Sequence, residues 1–249
     1  MTAPNISNPT HPAAAMNQVR LPRTAALGPG LGGQPRLLID APAGAAEIYL
    51  HGATLTSWVP RGGSEVIFTS RQAVFDGSTA IRGGIPLCLP EFGVGINGDA
   101  VPKHGWARIA PWQPRMVAST DDGGVRALLS VSRDHLTALY EVEVGETLRL
   151  GLSLRNDGNA PRTVEAAAHT YLSVHDVTAS LISGLAGASY SDNLARSPQE
   201  AHRVQDGDVR ISSPVDRIYD SAEPITVTDP GHERTIHVDK RNAPSTIVW

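Results

Sequence analysis

From Arg36 onward the chain is interrupted about every ten residues by Gly, Pro, Asn or Asp, with short runs of β-branched and apolar residues between the breaks. That spacing leaves no room for a helix of ordinary length and is the pattern of a sandwich or barrel of strands. Runs at 46–50, 54–59, 66–69, 125–132, 147–155 and 163–172 read as strands. In the last part of 147–155 the leucines at 148, 150, 152 and 154 alternate with Arg, Gly and Ser, which puts one face on a core and the other outward. Turn residues stand where hairpins need them, at Arg61-Gly62-Gly63, Asp121-Asp122-Gly123-Gly124, Asn156-Asp157-Gly158-Asn159 and Asp206-Gly207. The expected fold is all-β, a large antiparallel β-sandwich over residues 36–249. Residues 1–35 are rich in Ala, Pro, Gly and Asn without apolar periodicity and read as a flexible N-terminal tail. The alternative is an ordered wrap anchored by Val19 and Leu21.

Composition narrows the function classes. With 41% hydrophobic and 18% charged residues among 249, the chain has the apolar material for a substantial core. A net charge of −4 gives no broad attraction to nucleic acid or to an anionic membrane, so an anionic ligand must be held by a few local cations. The single cysteine, Cys88, has apolar flanks and reads as a buried, inert thiol. No run approaches the roughly 18 apolar residues of a membrane helix, and the N-terminus lacks the pattern of a signal peptide, so the expected location is cytoplasmic.

Several site classes have no motif: there is no Walker loop, dinucleotide fingerprint, Gly-x-Ser-x-Gly elbow or Cys-x-x-Cys pair. Metal-ligand spacing is missing as well, and no metal site is expected. Two segments stand out. In Ile81-Arg82-Gly83-Gly84-Ile85-Pro86 the glycines permit a tight turn and close approach to a ligand, and Arg82 could meet a phosphate with its planar fork. Taken alone, Arg82 reads more readily as a surface arginine beside an ordinary turn. After a loop with Gly93, Gly95 and Gly98 comes Lys103-His104-Gly105-Trp106-Ala107-Arg108, which gathers three potential cations and an aromatic ring. Trp106 suits the core or a ligand-facing plate, and His104 suits a structural histidine or a ligand contact.

With these segments in view, the chain resembles the hexose-6-phosphate mutarotases of the aldose 1-epimerase superfamily. The resemblance is carried by residues 51–58, 81–90 with Phe92-Gly93, and 104–108, then by His169-Thr170-Tyr171-Leu172, Tyr190-Ser191-Asp192 and residues 240–246. It implies a galactose mutarotase-like supersandwich that works on a small sugar phosphate without a cofactor and as a monomer. It also implies that Arg82 and Arg108 grip the phosphate, that Lys103 and His104 lie beside the sugar, and that Asp192 accepts hydrogen bonds from sugar hydroxyls. His169 is then the catalytic histidine, donating a proton to the ring oxygen while a glutamate takes one from the C1 hydroxyl. Lys103 departs from the family pattern, in which a neutral residue such as Gln is frequent.

The family's glutamate lies beyond the segment that matches residues 240–246, and the sequence given ends at Trp249. Glu223 and Glu233 precede that segment and do not match. The expectation from the sequence is therefore a C-terminally truncated chain with impaired anomer exchange. Rival readings are an aldose 1-epimerase for neutral sugars, against which two convergent arginines speak, and a non-catalytic sugar-phosphate binding module.

Overall fold

The structure, a computed structural model, describes residues 19–249. Its first strands form a meander of β1 (Ala25–Pro29), β2 (Pro35–Ala41), β3 (Gly44–Tyr49) and β4 (Thr54–Pro60), all antiparallel. After a two-residue strand, β5 (Leu87–Cys88), a second meander follows: β6 (Gln113–Ser119), β7 (Val125–Arg133), β8 (Leu136–Val144) and β9 (Leu148–Asn156). Alternate residues of the two sheets enter one core: Leu37, Ile39, Ala46, Ile48 and Leu55 from the first, Val125, Ala127, Leu129, Ala138, Tyr140 and Val142 from the second. Two antiparallel sheets sharing one apolar layer are a β-sandwich. The predicted alternation in β9 is present, but its leucines are only half-buried or exposed. β9 is the edge of its sheet, where a strand has a pairing neighbour on one side only.

Where the sequence reading runs one domain over 36–249, the contacts divide the chain after Ser173 into two compact units. β10 (Ala167–Ala168) closes the first by pairing with β5. The second unit, Val174–Trp249, carries β11 (Leu181–Ser183), β12 (Ser189–Asp192), β13 (His202–Val204), β14 (Val209–Arg210), β15 (Arg217–Tyr219), β16 (Ile225–Asp229), β17 (Arg234–Val238) and β18 (Thr246–Val248). They form two four-stranded antiparallel sheets, in the orders β14-β11-β16-β17 and β13-β12-β15-β18. A small core of Leu185, Tyr190, Val209, Tyr219 and Val248 lies within this unit. Among the described residues no helix is long and apolar enough to cross a membrane.

Two departures from the sequence reading bear on the site. Residues 19–35, read as part of a flexible tail, are structured: β1 pairs with β2, Leu27 opposite Leu37, and Val19 and Leu21 pack on the core. Pro22, Pro29 and Gly28 obscure this strand in the sequence, and an edge strand tolerates them because only one side must pair. The rest of the tail, 1–18, lies outside the described residues. The runs 66–69 and 163–172, read as full strands, pair only locally, through the bridges Ile67–Leu172 and Thr69–Gly83 and the two-residue β5–β10 ladder. Pro86 and Pro90 have no N–H to give a ladder, and Gly83 and Gly84 bend the backbone out of strand geometry.

Candidate active site

The site is carried by this irregular patch of the first unit. The segment after Arg82 and the segment around His169 are tied together by backbone bonds: the Tyr171 N–H donates to the Gly84 carbonyl (2.9 Å) and the His169 N–H to the Pro86 carbonyl (3.0 Å). The Phe68 N–H in turn donates to the Tyr171 carbonyl (2.9 Å), and the Gly84 N–H to the Phe68 carbonyl (2.8 Å). Gly83 and Gly84 lie at φ +113° and +71°. A Cβ on Gly83 would stand 2.6 Å from the Thr69 Cα and one on Gly84 2.5 Å from the Leu55 oxygen. The glycines thus admit the chain's own backbone rather than a ligand. Arg82, beside them, is anchored through its carbonyl, which accepts from the Ser70 N–H (3.0 Å), and its side chain is exposed.

The second segment is equally constrained. His104 adopts φ +64°, and Gly105 follows at +69° with its Cα so close to Leu89 that a Cβ would collide with the Leu89 carbonyl oxygen. His104 and Gly93 exchange two hydrogen bonds: the His104 N–H donates to the Gly93 carbonyl (2.7 Å), and the Gly93 N–H donates to His104 Nδ1 (3.2 Å). With Nδ1 accepting, the proton of the neutral ring sits on Nε2. The Arg108 Nη2 donates to the Lys103 carbonyl (2.8 Å), while its Nε is buried without a partner. Lys103 is exposed, and Trp106 is a core residue rather than a ligand-facing plate.

These segments meet at His169. The His104 ring stands edge-on to it at 6.1 Å and 85°, with Phe92 edge-on to His104 at 5.1 Å. Tyr171 stacks on His169 at 5.0 Å and 22°. Burial raises the Tyr171 phenol, and the guanidiniums of Arg82 and Arg108 oppose the rise. Burial likewise pushes the Cys88 thiol up to about 11, with Arg108 opposing, which keeps it protonated and unreactive. A depression of about 380 Å³ beside the 91–100 loop is walled by Glu91, Asp99 and Glu165 together with Arg162. Its carboxylates do not suit a phosphate, and the arginine pair does.

Asp192 belongs to the second unit. Its Oδ2 lies 3.6 Å from Arg217 Nε, and its Oδ1 accepts from the Leu194 N–H (2.9 Å). Arg217 also lies over the Tyr190 ring, 4.8 Å from its centroid. Five of the six expected residues are therefore in the first unit, and the sixth is set in an ion pair of the second. The sequence reading quoted Tyr171 and Phe92 in matching blocks without assigning them a place in the site. For Tyr171 a signal existed, since residues two apart in an extended run share a face.

Comparison with known proteins accords with this architecture. A galactose mutarotase-like protein from Clostridium acetobutylicum superposes with a TM-score of 0.66 over 84% of this chain and 78% of its own, at 12% identity, a likeness of fold alone. The crystal structure of a "putative mutarotase" from Salmonella typhimurium gives 0.81 over 92% and 77%, at 27% identity. The fold is thus galactose mutarotase-like. The chain belongs to the aldose 1-epimerase family, whose model matches residues 35–249. A relative from Cenchrus ciliaris, named "Putative glucose-6-phosphate 1-epimerase", is 32% identical over 82% of this chain. One of the same name from Escherichia coli is 29% identical over 86%. The chain spans 66% of the first relative's length and 73% of the second's.

Proposed function

We propose that this protein interconverts the α and β anomers of a hexose 6-phosphate. The observation that carries the reading is the grouping of His104 and Tyr171 around the His169 ring, in a patch whose two segments also carry Arg82 and Arg108. Segments that carry two arginines, the cations best suited to a phosphate, thereby meet at a proton-transfer group. The names of the relatives support glucose 6-phosphate as the hexose.

In the reaction, the phosphate is held by Arg82 and Arg108, and the histidinium of His169 gives its proton to the ring oxygen as a general base, to which none of these residues is assigned, takes the proton of the C1 hydroxyl. The C1–O5 bond breaks to leave an open-chain aldehyde. Rotation about C1–C2 presents the other face, and the same transfers in reverse close the ring and restore both protons. A positioned acid of this kind contributes about 10² to 10⁴ in rate. His104, with its proton on Nε2, donates a hydrogen bond to a sugar oxygen, and Lys103 lies at the rim. The reading assigns the histidine half of the acid/base pair and names no base.

Anomer exchange followed by NMR tests it. Glucose 6-phosphate is expected to exchange faster than its spontaneous rate and faster than free glucose, and His169→Ala to remove most of the acceleration while phosphate binding persists. Equal acceleration of free glucose would favour an epimerase for neutral sugars. Binding with no acceleration by the unaltered protein would favour a binding module.

A further inference from the structure

His104 stands in the left-handed region at φ +64°, a conformation that a residue with a Cβ adopts only where its surroundings impose it. Two backbone bonds do so: the His104 N–H donates to the Gly93 carbonyl (2.7 Å), and the His104 carbonyl accepts from the Leu89 N–H (3.2 Å). The side chain is held by the same turn. The Gly93 N–H donates to Nδ1 at 3.2 Å, and the Phe92 ring meets the imidazole at 5.1 Å and 74°. Phe92 is itself fixed, since its N–H donates to Glu165 Oε2 (3.3 Å) and its carbonyl accepts from the Gly95 N–H (2.8 Å). An imidazole that turns over about its Cβ–Cγ bond exchanges Nδ1 for a carbon, and the Gly93 amide then loses its acceptor. Edge-to-face packing of an aromatic ring opposes that turn, because it favours one relative orientation of the two rings.

From this geometry we infer that Phe92 is a positioning residue of the site: its ring, with the adjoining Gly93 amide, holds the His104 imidazole in one orientation, Nδ1 to the backbone and the proton on Nε2. The Nε2 proton thereby keeps one direction relative to the His169 ring, which His104 meets at 6.1 Å and 85°. The reaction it serves rests on the mutarotase reading, but the hold on His104 does not.

The test uses the full chain, with Phe92→Leu and Phe92→Tyr, and reads the nitrogen NMR shifts of His104 at a pH where the imidazole is neutral. The unaltered protein should show the Nε2-protonated tautomer alone, with cross-peaks between the ring protons of Phe92 and His104. Phe92→Leu should give a mixture of the two tautomers and lower kcat/KM for glucose 6-phosphate about tenfold, with the affinity for inorganic phosphate unchanged. Phe92→Tyr, which keeps the ring, should restore the single tautomer and the rate. The inference is overturned by an Nδ1-protonated His104 in the unaltered protein, by a Phe92→Leu protein that keeps the single tautomer, or by one that loses it without a change in kcat/KM. A matching loss of phosphate affinity in Phe92→Leu would mean a general collapse of the patch and would also overturn it. If Phe92→Leu does not fold, Phe92→Met takes its place, and the tautomer of the unaltered protein decides in any case. If the unaltered protein fails to accelerate anomer exchange, the mutarotase reading falls, while the tautomers and cross-peaks still judge Phe92.

Discussion

Arg82 and Arg108 share one duty in the proposed site, to hold the phosphate, yet they differ in what else they hold. The Arg82 side chain is exposed and only its carbonyl is used by the fold, whereas an Arg108 Nη2 proton secures the Lys103 carbonyl. Arg82→Ala is therefore expected to raise KM for glucose 6-phosphate about tenfold or more with an unchanged melting temperature. Arg108→Ala should raise KM and also lower the melting temperature, since the Lys103–Arg108 turn loses a bond of about 1 kcal/mol. Steady-state kinetics and thermal melts of the two variants separate the cases. The arginines were legible as residue types beside glycines, but their different duties were not. Those depend on which carbonyl each guanidinium reaches, and composition carries no trace of that.

At the scale of elements, β1 and the irregular patch around His169 mark where local pattern loses to context. β1 contains Gly28 and Pro29 and reads as tail, but Leu27 has Leu37 opposite it and an apolar layer beneath. Deleting residues 1–29 should cost about 2 to 4 kcal/mol, from the partial burial of Val19, Leu21, Ala25 and Leu27, and should promote self-association through the bared edge of β2. Urea denaturation and light scattering check both effects. The runs 66–69 and 163–172 err in the other direction, since their β-branched residues predict ladders that Pro86 and the Gly83-Gly84 bend interrupt. That interruption matters to the site, because a regular ladder would not bring the Arg82 segment, Phe68 and Tyr171 into the same set of backbone bonds.

In the molecule as a whole, acid sensitivity should concentrate where a carboxylate is both buried and bonded. Asp229 in the second unit is fully buried. Burial alone would raise its pKa, but the His232 ring, the His175 N–H and Arg234 outweigh it, leaving the carboxyl below its ordinary value. A depressed folded-state pKa contributes stability that is present above the unfolded value, about 3.9, and is lost as pH falls through the lower folded one. Stability should thus hold down to about pH 4 and decline below it. Asp229→Asn should reduce that decline while costing about 3 kcal/mol at neutral pH, because it takes the carboxylate away from the largely buried Arg234. Denaturation midpoints measured from pH 7 to pH 2 test the sign. The sequence alone was enough for the all-β class and for the hairpin meanders with their turns, because strand periodicity and turn chemistry are properties of neighbours along the chain. Only the tertiary structure decided that β1 pairs ahead of Arg36, that the contacts divide the chain after Ser173 into two compact units, that Asp192 is paired with Arg217, and that Tyr171 stacks on His169. Each of those outcomes depends on contacts between residues far apart in sequence, and no local pattern records such contacts.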